Sequence, residues 1–297
     1  MIETTRCGYI AIIGRPNVGK STLLNHILEQ KISITSHKPQ TTRQQILGVK
    51  TTTDAQAIYV DTPGLQQNNK NALNRYMNRA ATAIIDGVDV IIFVVIAEHW
   101  QEEDDWILEK IKQVNCPLIL VINKIDRIED KNKLLPLIKN YSEKVEFTAV
   151  IPISAKSISD VKNLEAAITD YLPEGPRQFP SDQVTDRSQR FLAAEIVREK
   201  IMRQTGNEIP YSIALEVEEY EEKKDIIHIG ILIIVDKRSQ KAIVIGNKGE
   251  RLKEIGRQAR LDLENMLQNK VFLRLWVKVR EGWADDERAL RSLGYRE

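Results

Sequence analysis

A phosphate-binding pattern, G-x-x-x-x-G-K-[ST], occupies residues 14–21 as Gly14-Arg15-Pro16-Asn17-Val18-Gly19-Lys20-Ser21. It lies between an apolar run, YIAII, and a helical pattern that begins near Lys20, which is the strand-to-helix position that such a loop requires. Its glycines allow backbone N–H groups to face phosphate oxygens, and the helix N-terminus adds a favourable dipole. The alternative is an ordinary turn, but the four fixed positions would match by chance in only ~1% of chains of this length. The motif therefore predicts that Lys20 contacts the β and γ phosphates and that Ser21 binds Mg²⁺.

Short apolar runs alternate with amphipathic or polar stretches from Tyr9 to about Leu172. These runs are YIAII, AQAIYV, VDVIIFVVI, PLILVIN and FTAVIPI. This alternation predicts an α/β domain whose mostly parallel sheet is covered by helices on both faces. Residues 171–187, with three prolines and a glycine among polar residues, are typical of an interdomain linker. We therefore expect a nucleotide-binding domain over residues 1–172, a linker over 173–187 and a second domain over 188–297.

The second domain has a different element order. A helical stretch capped by Ser188 precedes two strand patterns, YSIALEVEEY and DIIHIGILIIV. A glycine-bounded loop at Gly246 to Gly249 then leads into an amphipathic helix. Residues 271–279 alternate again, as a half-buried strand does. The pattern predicts a smaller α+β domain.

The composition agrees with two globular domains. The 297 residues are 42% hydrophobic and 29% charged, which provides enough apolar material for packed cores. The 43 Lys and Arg residues nearly balance the 42 Asp and Glu residues, so a basic surface would have to be local. The longest apolar run, Val88 to Ala97, is too short to span a membrane. We expect a cytoplasmic protein, with peripheral association at the cytoplasmic face of the inner membrane left open.

Three further motifs follow the strand patterns of the first domain. Asp61-Thr62-Pro63-Gly64 ends AQAIYV, so Asp61 is expected to hold Mg²⁺ through water and Gly64 to offer its N–H to the γ-phosphate. Asn123-Lys124-Ile125-Asp126 follows PLILVI, and a carboxylate at Asp126 accepts two hydrogen bonds from guanine that adenine does not provide. Ser154-Ala155-Lys156 ends FTAVIPI and places a backbone N–H near guanine O6. Because ligands bind at the carboxyl ends of strands in open α/β sheets, the four motifs together predict a guanine-nucleotide site.

The polar stretch between the first two motifs contains Thr41 and Thr42. It is either a mobile surface loop or a segment in which one threonine, with Thr42 preferred, closes onto Mg²⁺ and the γ-phosphate.

The loop Gly246-Asn247-Lys248-Gly249 lies in a locally basic region. Residues 237–260 contain eight Lys or Arg and two Glu, a net charge of 8 − 2 = +6. A GxxG loop alone is more often a helix-capping turn, but this charge favours an RNA-facing strip. Lys248 and Arg251 are the expected backbone contacts, and Phe272 or Trp276 is expected either to stack on a base or to pack inside.

The motifs GRPNVGKS, QTTR, DTPG, NKID and SAK, followed by VIGNKGERLKEIG and GWADDERALRSLGY, resemble the Era family of bacterial GTPases over nearly the whole chain. The resemblance implies that the second domain is a type II KH domain, in which residues 240–246 form a short helix although their β-branched content favours a strand. It also implies that the RNA is the 3′ end of small-subunit (16S) ribosomal RNA and that the protein acts in assembly or maturation of that subunit. We expect the protein to be a monomer.

The residue after DTPG is Leu65, where Ras-like enzymes have a glutamine that orients the attacking water. We therefore expect slow hydrolysis that depends on a partner or a cation, and resemblance to related GTPases suggests that Asn17 helps to bind K⁺.

The expected catalytic residues are Asn17, Lys20, Thr42 and Gly64, and the expected Mg²⁺ ligands are Ser21, Thr42 and Asp61. The expected nucleotide contacts are Gly14, Arg15, Pro16, Asn17, Val18, Gly19, Lys20, Ser21, Thr22, Asp61, Thr62, Pro63, Gly64, Asn123, Lys124, Asp126, Ser154, Ala155 and Lys156. The expected RNA contacts are Gly246, Asn247, Lys248, Gly249, Arg251 and Lys253.

Two functional hypotheses follow. In the first, GTP orders the loop that contains Thr41 and Thr42, which alters how the KH domain is held, and hydrolysis resets it. In the second, the protein is a constitutive RNA-binding module whose nucleotide site is structural.

Overall fold

The computed structural model describes residues 5–38, 40–65, 72–206 and 213–295. It divides into two compact units. The first comprises the described parts of residues 1–33, 42–69 and 77–186, and the second those of 34–41, 70–76 and 187–297. Two short segments of the first 80 residues, the described parts of 34–41 and 70–76, therefore belong to the second unit.

Within the described residues, a six-stranded sheet forms the centre of the first unit, with the order β2-β3-β1-β4-β5-β6. Its strands are β1 Arg6–Ile13, β2 Ile46–Thr51, β3 Ala55–Asp61, β4 Val90–Ile96, β5 Leu118–Asn123 and β6 Ala149–Pro152. The predicted, mostly parallel α/β sheet is confirmed, with β2 as an antiparallel edge strand that the apolar pattern did not predict. The first five α-helices among the described residues are α1 Lys20–Ile27, α2 Ala72–Ala83, α3 Glu102–Ile111, α4 Leu134–Ser142 and α5 Ile158–Thr169.

Buried apolar strands position the site. Every residue of β4 and β5 is buried, as expected for central strands of a sheet that is covered on both faces. Phe93 and Leu120 belong to a core that also contains Leu65, the residue after DTPG. The carboxyl ends of β1, β3, β5 and β6 carry or lead into the four sequence motifs, so the fold gathers them at one edge of the sheet.

Most of the segment interpreted as a linker is hydrogen-bonded within the first unit. The Pro173 carbonyl accepts from the Cys7 N–H at 2.9 Å, and the Val184 carbonyl accepts from the Val49 N–H at 2.8 Å. The Gln56 side chain also accepts from the N–H groups of Gln178 and Phe179. Proline and glycine gave this stretch the composition of a linker, but its carbonyl groups satisfy donors at the ends and edge of the sheet.

The second unit contains a three-stranded sheet, in the order β7-β8-β9, among its described residues. Its elements are α6 Gln189–Gln204, β7 Ile213–Lys223, β8 Ile226–Val235, α7 Arg238–Ile245, α8 Glu250–Leu267, β9 Val271–Val279 and α9 Glu287–Ser292. Strand β8 pairs antiparallel with β7 and parallel with β9. The cap of α6 is confirmed, since the Ser188 side chain accepts from the Phe191 N–H. A short helix is also present where the resemblance implied one for residues 240–246, since α7 contains residues 240–245 and Gly246 follows as its C-cap.

The core of the second unit lies between its sheet and its helices. It includes Ile229, Ile231 and Ile233 of β8, together with Ile255 and Ala259 of α8. No helix among the described residues is long and apolar enough to cross a membrane.

Candidate nucleotide site and RNA-binding loop

The phosphate-binding loop connects β1 to α1 and encloses the Lys20 side chain. Its Nζ donates to the Gly14 carbonyl at 2.9 Å and to the Arg15 carbonyl at 3.0 Å. Burial lowers the pKa of Lys20 to about 8, against the opposing effect of Asp61. The loop thus holds an ammonium group beside the start of a helix, where a phosphate group is favoured electrostatically.

Two glycines allow neighbouring backbone and side-chain atoms to lie close to the phosphate-binding loop. Gly19 has a φ of 107°, and a Cβ there would lie 2.3 Å from Asn123 Nδ2. A Cβ on Gly64 would lie 2.8 Å from the backbone nitrogen of Pro16. The DTPG motif therefore lies directly against the phosphate-binding loop, as its predicted γ-phosphate role requires.

Three hydroxyl groups converge on one carboxylate oxygen, Asp61 Oδ2. Ser21 and Thr42 donate to it at 2.9 and 3.1 Å, and Ser33 at 2.8 Å. The hydroxyls of Ser21 and Thr42 are themselves 2.8 Å apart. We call these four residues the Asp61 cluster. It brings together the three side chains expected to hold Mg²⁺ and adds Ser33, which the sequence analysis missed.

The structure distinguishes the two threonines. Thr42 is buried within the Asp61 cluster, whereas the Thr41 hydroxyl donates to the Lys38 carbonyl at 2.7 Å. This placement favours Thr42 over Thr41 as the threonine that responds to the nucleotide.

The Asp61 cluster fits a small hard cation. Within the described part of the chain, the second carboxylate oxygen, Oδ1, is buried and accepts no hydrogen bond. Burial raises the pKa of Asp61, while Lys20 and the three hydroxyls act in the opposite direction. Carboxylate and hydroxyl oxygens are ligands that Mg²⁺ accepts, and a divalent ion would compensate the buried charge. Ser21, Thr42 and Asp61 are therefore the residues that would hold it, directly or through water.

Asn123 joins the base-binding motifs to the phosphate-binding loop. Its Nδ2 donates to the Val18 carbonyl at 2.7 Å, and its Oδ1 accepts from the N–H groups of Ala155 at 2.9 Å and Lys124 at 2.7 Å. Lys124 Nζ donates to the Asn17 carbonyl at 2.6 Å, with its pKa lowered by burial. These bonds fix the positions of the phosphate-binding loop, the NKID motif and the SAK motif relative to one another.

The remaining base-site residues lie at the same edge. Asp126 is exposed, and its Oδ1 accepts from Ser154 Oγ at 2.8 Å. The Ser154 N–H donates to Asp160 Oδ2 at 2.8 Å, which orients the SAK turn. A carboxylate presented in this way can accept hydrogen bonds from the donor edge of guanine. Lys156 is also exposed.

The other predicted nucleotide contacts have structural partners. Thr62 is buried and donates to the Ile12 carbonyl at 2.9 Å, while Val18 and Pro63 are buried and Thr22 lies in the first turns of α1. Arg15 forms a buried ion pair with Asp104 of α3, with Nε at 2.9 Å from Oδ2. The sequence analysis did not identify Asp104, because an acidic residue in the first turn of a helix is unremarkable.

The GNKG loop exposes its two central residues. Asn247 and Lys248 are exposed, and Gly246, Lys248 and Gly249 have φ values of 74°, 49° and 83°. Open space surrounds a Cβ built on Gly249. Arg251 is half-buried and donates to the Ile243 carbonyl, whereas Lys253 is exposed on α8. The loop therefore presents backbone and an ammonium group to a partner.

Phe272 is 47% exposed and Trp276 is partly buried, so of the two aromatic candidates Phe272 is the more accessible.

Comparisons with known proteins agree with this architecture. Residues 9–124 match a family model described as 50S ribosome-binding GTPase, and residues 208–284 match the KH domain model. The fold and the site thus define a P-loop GTPase-type domain followed by a KH domain.

Relatives with the name GTPase Era match over nearly their whole length. The protein from Pseudomonas fluorescens (strain Pf0-1) is 57% identical over 293 residues, which cover 99% of this chain and 98% of the relative. That from Ectopseudomonas mendocina (strain ymp) is 56% identical over 291 residues, 98% of this chain and 97% of the relative. The chain belongs to the Era family of GTPases.

Two solved structures are also similar. One is Era in complex with MgGDPNP and nucleotides 1506–1542 of 16S ribosomal RNA, and the other is an Aquifex aeolicus Era variant bound to GDP and AlF4⁻. Each has a TM-score of 0.94 and 44% identity, and covers 99% of this chain and 100% of the solved chain.

Proposed function

We propose that this chain is a GTP-hydrolysing switch that binds the 3′ end of 16S ribosomal RNA and acts in assembly or maturation of the small ribosomal subunit. Residues 1–172 are its GTPase domain and 188–297 its KH domain and tail, with 173–187 between them. The observation that supports the nucleotide-binding part of this proposal is the Asp61 cluster, in which the Ser21 and Thr42 hydroxyls lie within 3.1 Å of one carboxylate oxygen. The RNA half is supported by the exposed GNKG loop and by the RNA bound in the similar Era structure.

In this proposal, Lys20 and the loop N–H groups bind the phosphates of GTP, and the Asp61 cluster holds Mg²⁺. Asp126 selects guanine, and Asn123 keeps the base and phosphate sites at a fixed distance. Thr42 senses the γ-phosphate, since it is the candidate Mg²⁺ ligand that lies beyond α1 in the loop expected to respond to the nucleotide.

Hydrolysis is slow because Leu65, which is 1% exposed in the core of the first unit, presents no group that orients water. We propose that K⁺ supplies part of the missing charge and that the Asn17 side-chain oxygen is one of its ligands. Replacing K⁺ with Na⁺ at constant ionic strength should lower turnover several-fold in the wild type. It should lower it less in Asn17→Ala, and equal turnover of the wild type in the two salts would contradict the K⁺ proposal.

The experiment that tests the switch measures affinity for an RNA with the 16S 3′-end sequence in three states: GDP, a non-hydrolysable GTP analogue with Mg²⁺, and no nucleotide. A difference between the GDP and GTP-analogue states supports the switch. Equal affinities in all three states would instead support the constitutive RNA-binding module.

We further propose that the protein is a cytoplasmic monomer. Sedimentation at micromolar concentration tests the oligomeric state, and flotation with anionic vesicles tests peripheral association with the inner membrane.

A further inference from the structure

Residues 34–38, 40 and 41 pack within the second unit, although they lie in the loop that ends at the candidate Mg²⁺ ligand Thr42. A mobile loop was one of the two expectations for this stretch, but side chains of α6 bind the segment at both of its ends. One peptide bond separates Thr41 from Thr42, so the position of this segment limits where the Thr42 hydroxyl can lie.

The first attachment is at Thr35. Glu199 of α6 is fully buried, and its Oε1 accepts from the Thr35 N–H at 3.0 Å and from its hydroxyl at 3.3 Å. Arg203, one turn later, donates to the Thr35 carbonyl at 3.1 Å and to Glu199 at 2.9 Å. Both backbone groups of Thr35 are therefore bonded to charged side chains of one helix.

The second attachment is at the other end of the segment. Arg198 of α6 is 2% exposed and donates to the carbonyl groups of Gln40, at 3.4 Å, and Thr41. Its guanidinium is oriented by Glu195, whose Oε1 accepts from Nε at 2.7 Å. Lys38 provides a third attachment, because its Nζ donates to the carbonyl groups of Thr205 and Gly206, which follow the C-terminal end of α6.

The same helix is joined to α8, which begins immediately after the GNKG loop. Lys200 Nζ lies 2.5 Å from Asp262 Oδ2 of α8 and 3.6 Å from Glu199 Oε2. A hydrogen-bonded and ionic series therefore connects Thr35 to the helix that carries the RNA-binding loop. Burying this many charged groups costs more free energy than burying apolar side chains on the same helix surface. A role in fixing one conformation of the bound segment would account for that cost.

We propose that Arg198, Glu199 and Arg203 are positioning residues that transmit the nucleotide state from Thr42, through the adjoining residues 34–38, 40 and 41 and helix α6, to α8 and the GNKG loop. The inference rests on the proposed function and names the contacts by which the switch acts. When Thr42 moves toward or away from a γ-phosphate, residues 35–38, 40 and 41 move with it, and α6 follows because its charged side chains bind the backbone of Thr35, Gln40 and Thr41.

The test uses the full chain and compares RNA affinity with the GTP analogue and with GDP. Arg203→Gln is the principal variant, because its side chain is 47% exposed and folding should be preserved. Glu199→Gln is the second variant, and it removes the charge of the buried carboxylate that accepts the Thr35 N–H. Lys139→Gln is the matched control, since it removes an exposed i,i+4 ion pair between Lys139 of α4 and Glu143, the residue that follows the helix.

The ratio of the two RNA affinities should fall at least about threefold in Arg203→Gln and Glu199→Gln, within the range reported for residues that carry coupling. GTP affinity should change less than twofold, Arg203→Lys should restore part of the ratio, and Lys139→Gln should leave it unchanged. Wild-type coupling that persists in both variants would overturn the transmission path while leaving the switch intact. A wild-type ratio of one would overturn the switch and the path together.

Discussion

Asn123 donates a hydrogen bond to the Val18 carbonyl at 2.7 Å across 105 positions of sequence. Asn123 is 2% exposed and also accepts the N–H groups of Lys124 and Ala155, so one side chain connects the base-binding motifs to the phosphate-binding loop. Its structural role does not require a nucleotide.

Asn123→Ala should therefore destabilise the nucleotide-free protein. Three hydrogen bonds are lost and buried backbone groups are left without partners, which costs roughly 2–4 kcal/mol of unfolding free energy. Urea unfolding without nucleotide measures the change, and Asn132→Ala, at an exposed position, is the control. Equal midpoints for Asn123→Ala and wild type would show that the side chain matters only to the ligand.

Asp126→Asn should change which base is bound. The amide presents a donor where guanine N2–H₂ also donates, whereas xanthine has a carbonyl at that position. We expect GTP affinity to fall at least ~100-fold and XTP to become the preferred ligand. Competition binding with both nucleotides measures this preference. Asp130→Asn, an exposed carboxylate on the same loop, should retain the wild-type preference, and a shift there would argue against a specific role for Asp126.

Removing one partner of the Arg15–Asp104 pair should lower the free energy of unfolding more than removing both partners. Asp104 is fully buried, and Asp104→Leu leaves the 8%-exposed Arg15 without its carboxylate, at a cost of about 3–5 kcal/mol. Arg15→Met together with Asp104→Leu should recover much of that loss. Thermal unfolding of the two single variants and the double variant gives the coupling energy. Additive losses would show that the pair is not a unit.

Lys248→Asp should weaken RNA binding without changing GTPase activity measured in the absence of RNA. Reversing one exposed charge in a loop that faces the RNA backbone should cost about tenfold or more in affinity and lower the slope of log K against log salt by about 1. Lys139→Asp makes the same charge change in the first unit and should leave RNA affinity unchanged. Parallel loss of RNA binding and GTPase activity would indicate misfolding instead.

The nucleotide motifs could be predicted because each is a short run of sequence whose chemistry depends on its own residues and on the strand before it. Short runs of sequence do not disclose long-range partners. Ser33, Asp104 and Glu199 are common residue types, and their roles arise from contacts 28, 89 and 164 positions away. Strand β2 was missed for the same reason, since it is stabilised by its antiparallel pairing with β3.

Helix α7 illustrates how tertiary contacts override local preference. Its β-branched residues favour a strand. The Gln240 side chain accepts from the N–H groups of Asp236 and Lys237, and Val244 is buried in the core. The cap and the packing stabilise the helix, which the composition of residues 240–246 did not indicate.

Titration calorimetry of Lys20→Ala with GTP and Mg²⁺ measures the contribution of the phosphate-binding loop. We expect at least a ~100-fold loss of GTP affinity, because the substitution removes the ammonium group that donates to the Gly14 and Arg15 carbonyls of that loop. Lys139→Ala, an exposed lysine on α4, should bind GTP as the wild type does. If Lys20→Ala binds GTP and Mg²⁺ as tightly as the wild type, the nucleotide site does not lie at this loop.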